Sequence, residues 1–128
     1  MQNSESRIQK APPDLKLRTL EFSRGIIRLY AAMPRSTVSQ VLGKQVLRSG
    51  TSVGANYREA CRGRSKAEFI SKMGDCLKEL DETDYWLELI AGEADLAALP
   101  VAPLRDETNQ LIAIFTTIIK RTKENSEL

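Results

Sequence analysis

Apolar residues recur along this chain every three or four positions, which is the spacing of one face of an α-helix. The first such run starts at Leu15 and stops at Pro34, because proline breaks a helix interior. A second run starts at Thr37, which with Gln40 has the residue types of a capping box, and Gly63 ends it. The first half of the chain is therefore predicted to contain two helices.

The second half of the chain shows the same periodicity. Ser65 and Glu68 form a stronger capping box, and the apolar seam that follows predicts a third helix of about 30 residues, or ~45 Å. Pro100 interrupts the pattern, and Pro103 suits the first turn of a fourth helix. No segment alternates apolar and polar residues as a half-buried strand does.

Four helices with short connections predict an all-α fold. Consecutive helices joined by short loops pack as antiparallel neighbours, so we expect an antiparallel up-down-up-down four-helix bundle. The bundle is predicted to span residues 14–123, with a flexible N-terminal tail over 1–13 and a frayed C-terminus over 124–128.

The composition limits the chemistry that this protein can perform. Its 128 residues include 19 Lys and Arg, 17 Asp and Glu, and no histidine. Without histidine, Ser-His-Asp and Cys-His catalysis and His-containing zinc sites are excluded. Gly50 and Gly54 lie within a helical run, so they do not form a phosphate-binding loop between a strand and a helix. We therefore expect a binding protein that is not an enzyme, with no catalytic residues, no cofactor and no metal.

The sequence also predicts the cellular compartment. No apolar run approaches the roughly 20 residues that span a bilayer, and the N-terminal residues lack the apolar stretch of a secretory signal. We therefore expect a cytoplasmic protein without a membrane partner. Cys61 and Cys76, placed on two helices joined near Gly63, would differ in axial position by about 15 Å, which is too far for a disulfide. We expect two buried thiols.

Charge is distributed unevenly between the two halves of the chain. Residues 16–66 contain eleven basic and two acidic residues, whereas residues 67–107 contain three basic and eleven acidic residues. On a helical projection, several of the basic residues share the outer side of helix two, and a pair lies one turn apart on helix one. The residues predicted to contact nucleic acid are Arg24, Arg28, Lys44, Arg48, Arg58 and Arg62. We call the four on helix two, Lys44, Arg48, Arg58 and Arg62, the basic stripe.

The basic stripe has two interpretations. Its cations can follow phosphates with a salt-dependent affinity. Alternatively, the basic half of one subunit meets the acidic half of the same subunit or of its neighbour, with the carboxylates of helix three as counterparts. The two interpretations are compatible with each other. Tyr57 is the only aromatic residue near the stripe, so we expect contact with the nucleic-acid backbone and little base stacking.

Helix two contains a run of small residues that is unusual for a helix interior. Gly50 and Gly54 each cost about 1 kcal/mol relative to alanine. Small side chains let a neighbouring backbone approach closely, so we predict a tight helix crossing here; ligand binding is the alternative. The residues assigned to this crossing are Ser49, Gly50, Val53, Gly54, Asn56 and Tyr57. If buried, Asn56 needs a hydrogen-bond partner, for which Thr83 and Asp84 are candidates.

Trp86 and Leu89 lie off the main apolar seam of helix three, beside Glu82 and Glu93. Apolar residues outside the core of a bundle are typical of a contact between subunits. The alternative is burial within a broad core stripe. We predict that Trp86 and Leu89 form part of a subunit interface.

One segment also carries a family resemblance. Residues 47–90 resemble the bacterial four-helix-bundle proteins first noticed as reading frames within intervening sequences of 23S ribosomal RNA genes. The resemblance rests on the run Ser-Gly-Thr-Ser-Val-Gly-Ala-Asn over 49–56, on Glu-Ala at 59–60, and on matching residues within 65–69 and 78–88. It implies a homo-oligomer, typically a pentamer. In one related branch, the accessory variability determinants of diversity-generating retroelements, the resemblance further implies binding to nucleic acid and to a reverse transcriptase.

Charge layout and resemblance together predict an oligomeric, non-enzymatic protein that binds RNA or DNA as an accessory or scaffold. By the resemblance, its expected partners are other copies of itself in a homopentamer, RNA or DNA, and a reverse transcriptase. The alternative is a protein-binding oligomeric adaptor whose charges serve subunit contacts and which has no role with nucleic acid.

Overall fold

The structure, a computed structural model, describes residues 14–126, and these residues form helices and no strand. The helices are α1 (Leu15–Ala32), α2 (Thr37–Cys61), α3 (Lys66–Gly92) and α4 (Val101–Ser126), with a short 3-10 helix (Ala94–Leu96) between α3 and α4. The prediction of an all-α fold with four helices is therefore confirmed. The predicted tail at 1–13 lies outside the described residues, and α4 continues beyond residue 123 to Ser126.

Helix α2 begins at Thr37, as predicted, but its capping residue is not the predicted one. The N-cap is Ser36, whose Oγ accepts a hydrogen bond from the backbone N–H of Ser39 at 3.2 Å. Thr37 is already the first helical residue, so the predicted Thr37 and Gln40 box does not form. The Gln40 side chain instead accepts a hydrogen bond from the Tyr30 hydroxyl at 3.2 Å, which joins α1 to α2. Periodicity locates a helix but leaves two adjacent hydroxyl residues equivalent as caps.

The starts of α1 and α3 are set by side-chain caps. Asp14 accepts from the backbone N–H of Leu17 at 3.1 Å. Ser65 accepts from the backbone N–H of Glu68 at 3.1 Å, as the capping box predicts. The Glu68 carboxylate reaches back to the backbone N–H of Arg64 at 2.9 Å, one residue before the cap. These bonds satisfy amide groups that have no partner within the helix.

The core is one continuous cluster of side chains from all four helices. In α3 the predicted seam is confirmed at its central positions, which are fully buried: Met73, Cys76, Leu80, Thr83, Leu87 and Ile90. At the two ends of the seam, Phe69 is only half-buried, and Ala94 is exposed because α3 ends before it. None of the described helices combines the length and the apolar character that crossing a membrane requires.

The small residues of α2 lie against α1. A Cβ atom built on Gly50 would come within 2.7 Å of Ile26 Cγ1, and one on Gly54 within 3.2 Å of Thr19 Oγ1. Val53 is fully buried beside them. The two helices can approach this closely because Gly50 and Gly54 have no side chain.

Ser49, a polar residue of the same run, contacts α3. The hydroxyl groups of Ser49 and Thr83 form a fully buried hydrogen bond of 2.8 Å between the two helices. Asn56 is half-buried, and its two predicted partners have other contacts: Thr83 with Ser49, and Asp84 with Arg105 at 3.3 Å. Ser49, not Asn56, is thus the fully buried polar residue that hydrogen-bonds to α3.

Contacts between α2 and α3 follow a regular order. Glu59 contacts Lys72 at 3.0 Å, the Val53 carbonyl lies 3.6 Å from Cys76 Sγ, and Ser49 bonds Thr83. The residue number falls along α2 as it rises along α3. The end of α2, the α2–α3 turn and the start of α3 therefore lie at the same end of the bundle.

Helices α1 and α4 are joined by a two-pronged ion pair. Arg18 Nε lies 2.7 Å from Glu107 Oε2, and Arg18 Nη2 lies 2.9 Å from Glu107 Oε1. The bonds to Glu107 raise the pKa of the Arg18 guanidinium above its usual value. Such fork-to-fork geometry fixes orientation as well as distance, so this pair sets how the first helix meets the last.

Candidate nucleic-acid interface

The basic stripe lies on the outer surface of α2, as the helical projection predicts. Lys44, Arg58 and Arg62 are exposed, and none of them forms an ion pair with any residue of the described range 14–126. Arg62 is also the C-cap residue of α2. These three positive charges are available to a partner.

Arg48 has a different environment from the rest of the stripe. Its Nη2 lies 2.7 Å from Glu82 Oε1, and its Nη1 lies 3.4 Å from Glu79 Oε2. Two carboxylates of α3 therefore neutralise this guanidinium within the subunit. This contact matches the interpretation in which the basic half of the chain meets its own acidic half.

The two basic residues predicted on α1 lie away from the stripe. Arg28 borders a shallow depression with Leu29, Pro100, Pro103 and Leu104, so it faces the start of α4. Arg24 is exposed and contacts Glu21 on the same helix at 3.4 Å. The six residues predicted to contact nucleic acid are thus divided between two flanks of the bundle.

A group of cations that the sequence reasoning missed lies where α2 turns into α3 and where α4 ends. All its members are exposed and form no ion pair within residues 14–126. Together with the last two members of the stripe they form a surface that we call the basic end: Arg58, Arg62, Arg64, Lys66, Lys120, Arg121 and Lys123. The charges of α4 were overlooked because they are distant from the stripe along the chain.

A ring contact between α2 and α4, and a depression that both helices line, place the second half of α4 close to the end of α2. The rings of Tyr57 and Phe115 lie 5.6 Å apart between centroids. Tyr57 and Arg121, with Leu15 and Ile118, also line an open depression of about 450 Å³. Burial, with a smaller contribution from Cys61, raises the pKa of the Tyr57 hydroxyl to about 12. The hydroxyl is therefore uncharged at neutral pH and leaves the positive charge of this end intact.

Most acidic groups near the basic end already have a partner within the chain. Glu59 contacts Lys72 Nζ at 3.0 Å and raises the pKa of that ammonium. Glu68 accepts from the backbone of Arg64, and Asp14 caps α1. Glu124, which is exposed, forms no ion pair within the described range. Positive charge therefore exceeds negative charge at this end.

The two cysteines differ in exposure. Cys76 is buried in the core, and this burial raises the pKa of its thiol to about 12. Cys61 is exposed, so the expectation of two buried thiols is wrong for this residue. The reason is the length of α1: Gly54 packs against Thr19, and Cys61 lies two turns further along α2, beyond the start of α1.

Trp86 and Leu89 lie four and seven residues after Glu82, which contacts Arg48, so helical spacing places them on the flank of α3 towards α2. Trp86 is half-buried, and its indole Nε1 is buried without a hydrogen-bond partner in the described range. Leu89 is 36% exposed. The register of Arg48 with Glu82 places Val41, which is 56% exposed, opposite Leu89. We call the surface formed by these residues and their exposed neighbours the apolar patch: Val38, Val41, Tyr85, Trp86 and Leu89.

Glu79, Glu82, Asp84 and Glu88 of α3 form ion pairs, whereas Asp75 and Asp81 are exposed and form none within residues 14–126. Asp84 lies 3.3 Å and Glu88 lies 3.6 Å from the guanidinium of Arg105 on α4. Within residues 14–126, acidic residues and cysteines do not come together in a group of three that could hold a metal ion. The acidic half of the chain therefore contributes contacts between helices.

Comparison with known proteins identifies the family. A crystal structure at 1.70 Å resolution of a protein of unknown function from the S23 ribosomal protein family of Bacteroides thetaiotaomicron is similar to this chain, with 38% identity and a TM-score of 0.76. The match covers 82% of this chain and 97% of that one. No curated protein matches. Residues 15–117 match the family described as 23S rRNA-intervening sequence protein, and this chain belongs to that family.

Proposed function

We propose that this protein is a cytoplasmic, non-enzymatic accessory or scaffold that binds RNA or DNA as a homo-oligomer. The observation that carries the proposal is the set of exposed cations without an ion-pair partner in residues 14–126, which continues from Arg58 through Arg62 to Arg121. Lys and Arg side chains bind phosphates and release condensed counterions, which gives affinity without sequence reading.

The side chains of this surface favour contact with the phosphate backbone over contact with bases. Tyr85 is the exposed aromatic residue of the described range, and it lies on α3 in the apolar patch. Tyr57 is half-buried, with its ring packed on Phe115. Stacking of bases on aromatic rings contributes about 1–3 kcal/mol per base where it occurs. Charge, and not stacking, is therefore the proposed source of affinity.

Self-association is the second part of the proposal. The opposite order of residue numbers in the contacts of α2 with α3 supports the antiparallel bundle, and the apolar patch is the surface that we assign to the subunit contact. The exposed apolar residues of α1, Leu17 and Ile27, are ten positions apart, about 15 Å along the helix, and form no comparable cluster. Five subunits are the number that the family resemblance implies.

We expect charged substitutions in the apolar patch to dissociate the oligomer. The double variant Val41→Glu and Leu89→Glu places two carboxylates in the proposed interface, where desolvating them is unfavourable. Sedimentation velocity should show a shift of the wild-type oligomer towards monomer. The matched control is Leu17→Glu with Ile27→Glu, at residues that are 53% and 49% exposed on α1. Equal dissociation by both variants, or a monomeric wild type, would contradict the assignment.

We expect the wild-type protein to bind nucleic acid with a steep dependence on salt. Fluorescence anisotropy with labelled RNA and DNA should give saturable binding at about 50 mM salt and a loss of about 10³-fold or more near 200 mM, if six or more phosphates are contacted. Binding that is absent at low salt, or that does not change with salt, would refute the proposal.

A protein-binding adaptor is the second candidate, and the environment of Arg48 favours it. Glu79 and Glu82 form ion pairs with this residue within the subunit, as expected for a charge that joins two helices and does not bind a ligand. If the oligomer forms but nucleic acid does not bind at low salt, the adaptor becomes the better description. A reverse transcriptase is the protein partner that the family resemblance implies.

A further inference from the structure

We infer that the basic end, and not the full length of the basic stripe, is the docking surface for nucleic acid, and that its ligand is a duplex. The inference rests on the proposed function, because it specifies where and what that function binds. It concerns double-stranded RNA and DNA alike, since both present the same closely spaced phosphates.

The distribution of unpaired charge supports the location. Along α2, Arg48 is neutralised by two carboxylates, which leaves Lys44 separated from the remaining free cations of the stripe. From Arg58 onwards the stripe runs into the α2–α3 turn, where exposed cations follow one another closely. The fold then adds the last turns of α4, with Arg121 beside Tyr57. Free positive charge is therefore densest at the end of the bundle.

The use of nearby acids supports the same location. Glu59 is held by Lys72, and Glu68 is held by the backbone N–H of Arg64. A carboxylate that already accepts a hydrogen bond competes only weakly with an incoming phosphate for the cations of the basic end. The opposite end of the bundle carries the exposed acids Glu93 and Asp95 together with one exposed cation of the α1–α2 turn, Arg35, and these charges sum to −1. The potential along the bundle thus directs a polyanion towards one end.

The shape and chemistry of this surface favour a duplex over a single strand. Neighbouring helices pack 8–10 Å apart, so cations from the α2–α3 turn and from α4 span roughly 10 Å or more. A duplex presents one charge per ~1.7 Å of axis, or about six charges over that distance, and releases more counterions per contact than a single strand. Single strands gain most from aromatic platforms. Tyr57 and Phe69 are half-buried and do not offer one.

The experiment compares two triple variants with identical changes in composition. In the first, Arg64→Gln, Lys66→Gln and Arg121→Gln remove three charges from the basic end. In the second, Arg24→Gln, Arg28→Gln and Lys44→Gln remove three charges elsewhere on the surface. All six side chains are exposed, so neither variant should lose its fold, which thermal unfolding and sedimentation check. Anisotropy titrations use a short labelled RNA duplex, the DNA duplex of the same sequence, and the corresponding single strands.

We expect the basic-end variant to bind both duplexes at least about tenfold more weakly and to lower the slope of log affinity against log salt by about 2–3. The control variant should change affinity by less than about twofold. A control variant that is weakened as much as the basic-end variant would overturn the location, and single strands that bind as tightly as duplexes would overturn the ligand; both results leave nucleic-acid binding intact. If the wild type binds none of the four probes, the proposed function itself fails and the inference falls with it.

Discussion

The variant Gly50→Leu should destabilise the bundle by about 3 kcal/mol or more, because overpacking a tight core usually costs ~1–3 kcal/mol even for small additions. A Cβ atom at position 50 would lie 2.7 Å from Ile26 Cγ1 and 3.0 Å from Ile26 Cγ2. Ile26 is fully buried, so it has no free space to move into. The separation of α1 and α2 would have to increase, and contacts along the whole interface would weaken.

The matched control is Gly74→Leu on α3. A Cβ atom at this position meets no atom within 4 Å. Leucine is favoured over glycine in a helix interior by roughly 0.8 kcal/mol, so the control should be unchanged or slightly more stable. Urea unfolding followed by circular dichroism, at one fixed protein concentration, measures both variants. Equal losses at the two positions would show that glycine itself, and not the close approach of α1, is required.

The periodicity of α3 shows how far the sequence alone can predict this fold. The central seam residues from Met73 to Ile90 are buried as predicted, because a long amphipathic helix against a core has few alternative orientations. The ends of the helices were harder to predict. Ser36 and Thr37 are both competent caps, and only backbone geometry decides between them. Cys61 was wrongly expected to be buried, because the exposure of the last turn of α2 depends on where α1 begins.

The candidate site could be predicted only in part, because charge along a chain does not reveal which charges meet. Arg48 shares a helical face with Lys44, yet α3 neutralises only Arg48. Arg28 was grouped with the residues predicted to contact nucleic acid, but it faces the start of α4. Arg121 joins the basic end only because the fold places the end of α4 at the same depression as Tyr57 of α2, a residue far from it in sequence.

The two proposed surfaces lie at opposite ends of the bundle. The apolar patch is built from the start of α2 and the end of α3, whereas the basic end is built from the end of α2 and the start of α3. Subunits that associate through the patch would therefore leave every basic end exposed. Several weak sites held together in one assembly bind a long polyanion with an affinity far above that of one site. Dissociating the oligomer should thus weaken nucleic-acid binding without altering any contact to phosphate.

This arrangement requires a rigid bundle between its two ends, and Leu80 lies at the middle of the longest helix that connects them. Leu80 is fully buried, so Leu80→Ala should destabilise the fold by about 2–5 kcal/mol through lost apolar burial and the cavity left behind. Leu17→Ala makes the same chemical change on α1 at a side chain that is 53% exposed, and should alter stability by no more than about 0.5 kcal/mol. Urea unfolding of the two variants at equal concentration tests the difference. A loss below about 1 kcal/mol for Leu80→Ala would mean that the core relaxes around the gap, and the bundle would then be too plastic to hold the two surfaces in fixed relation.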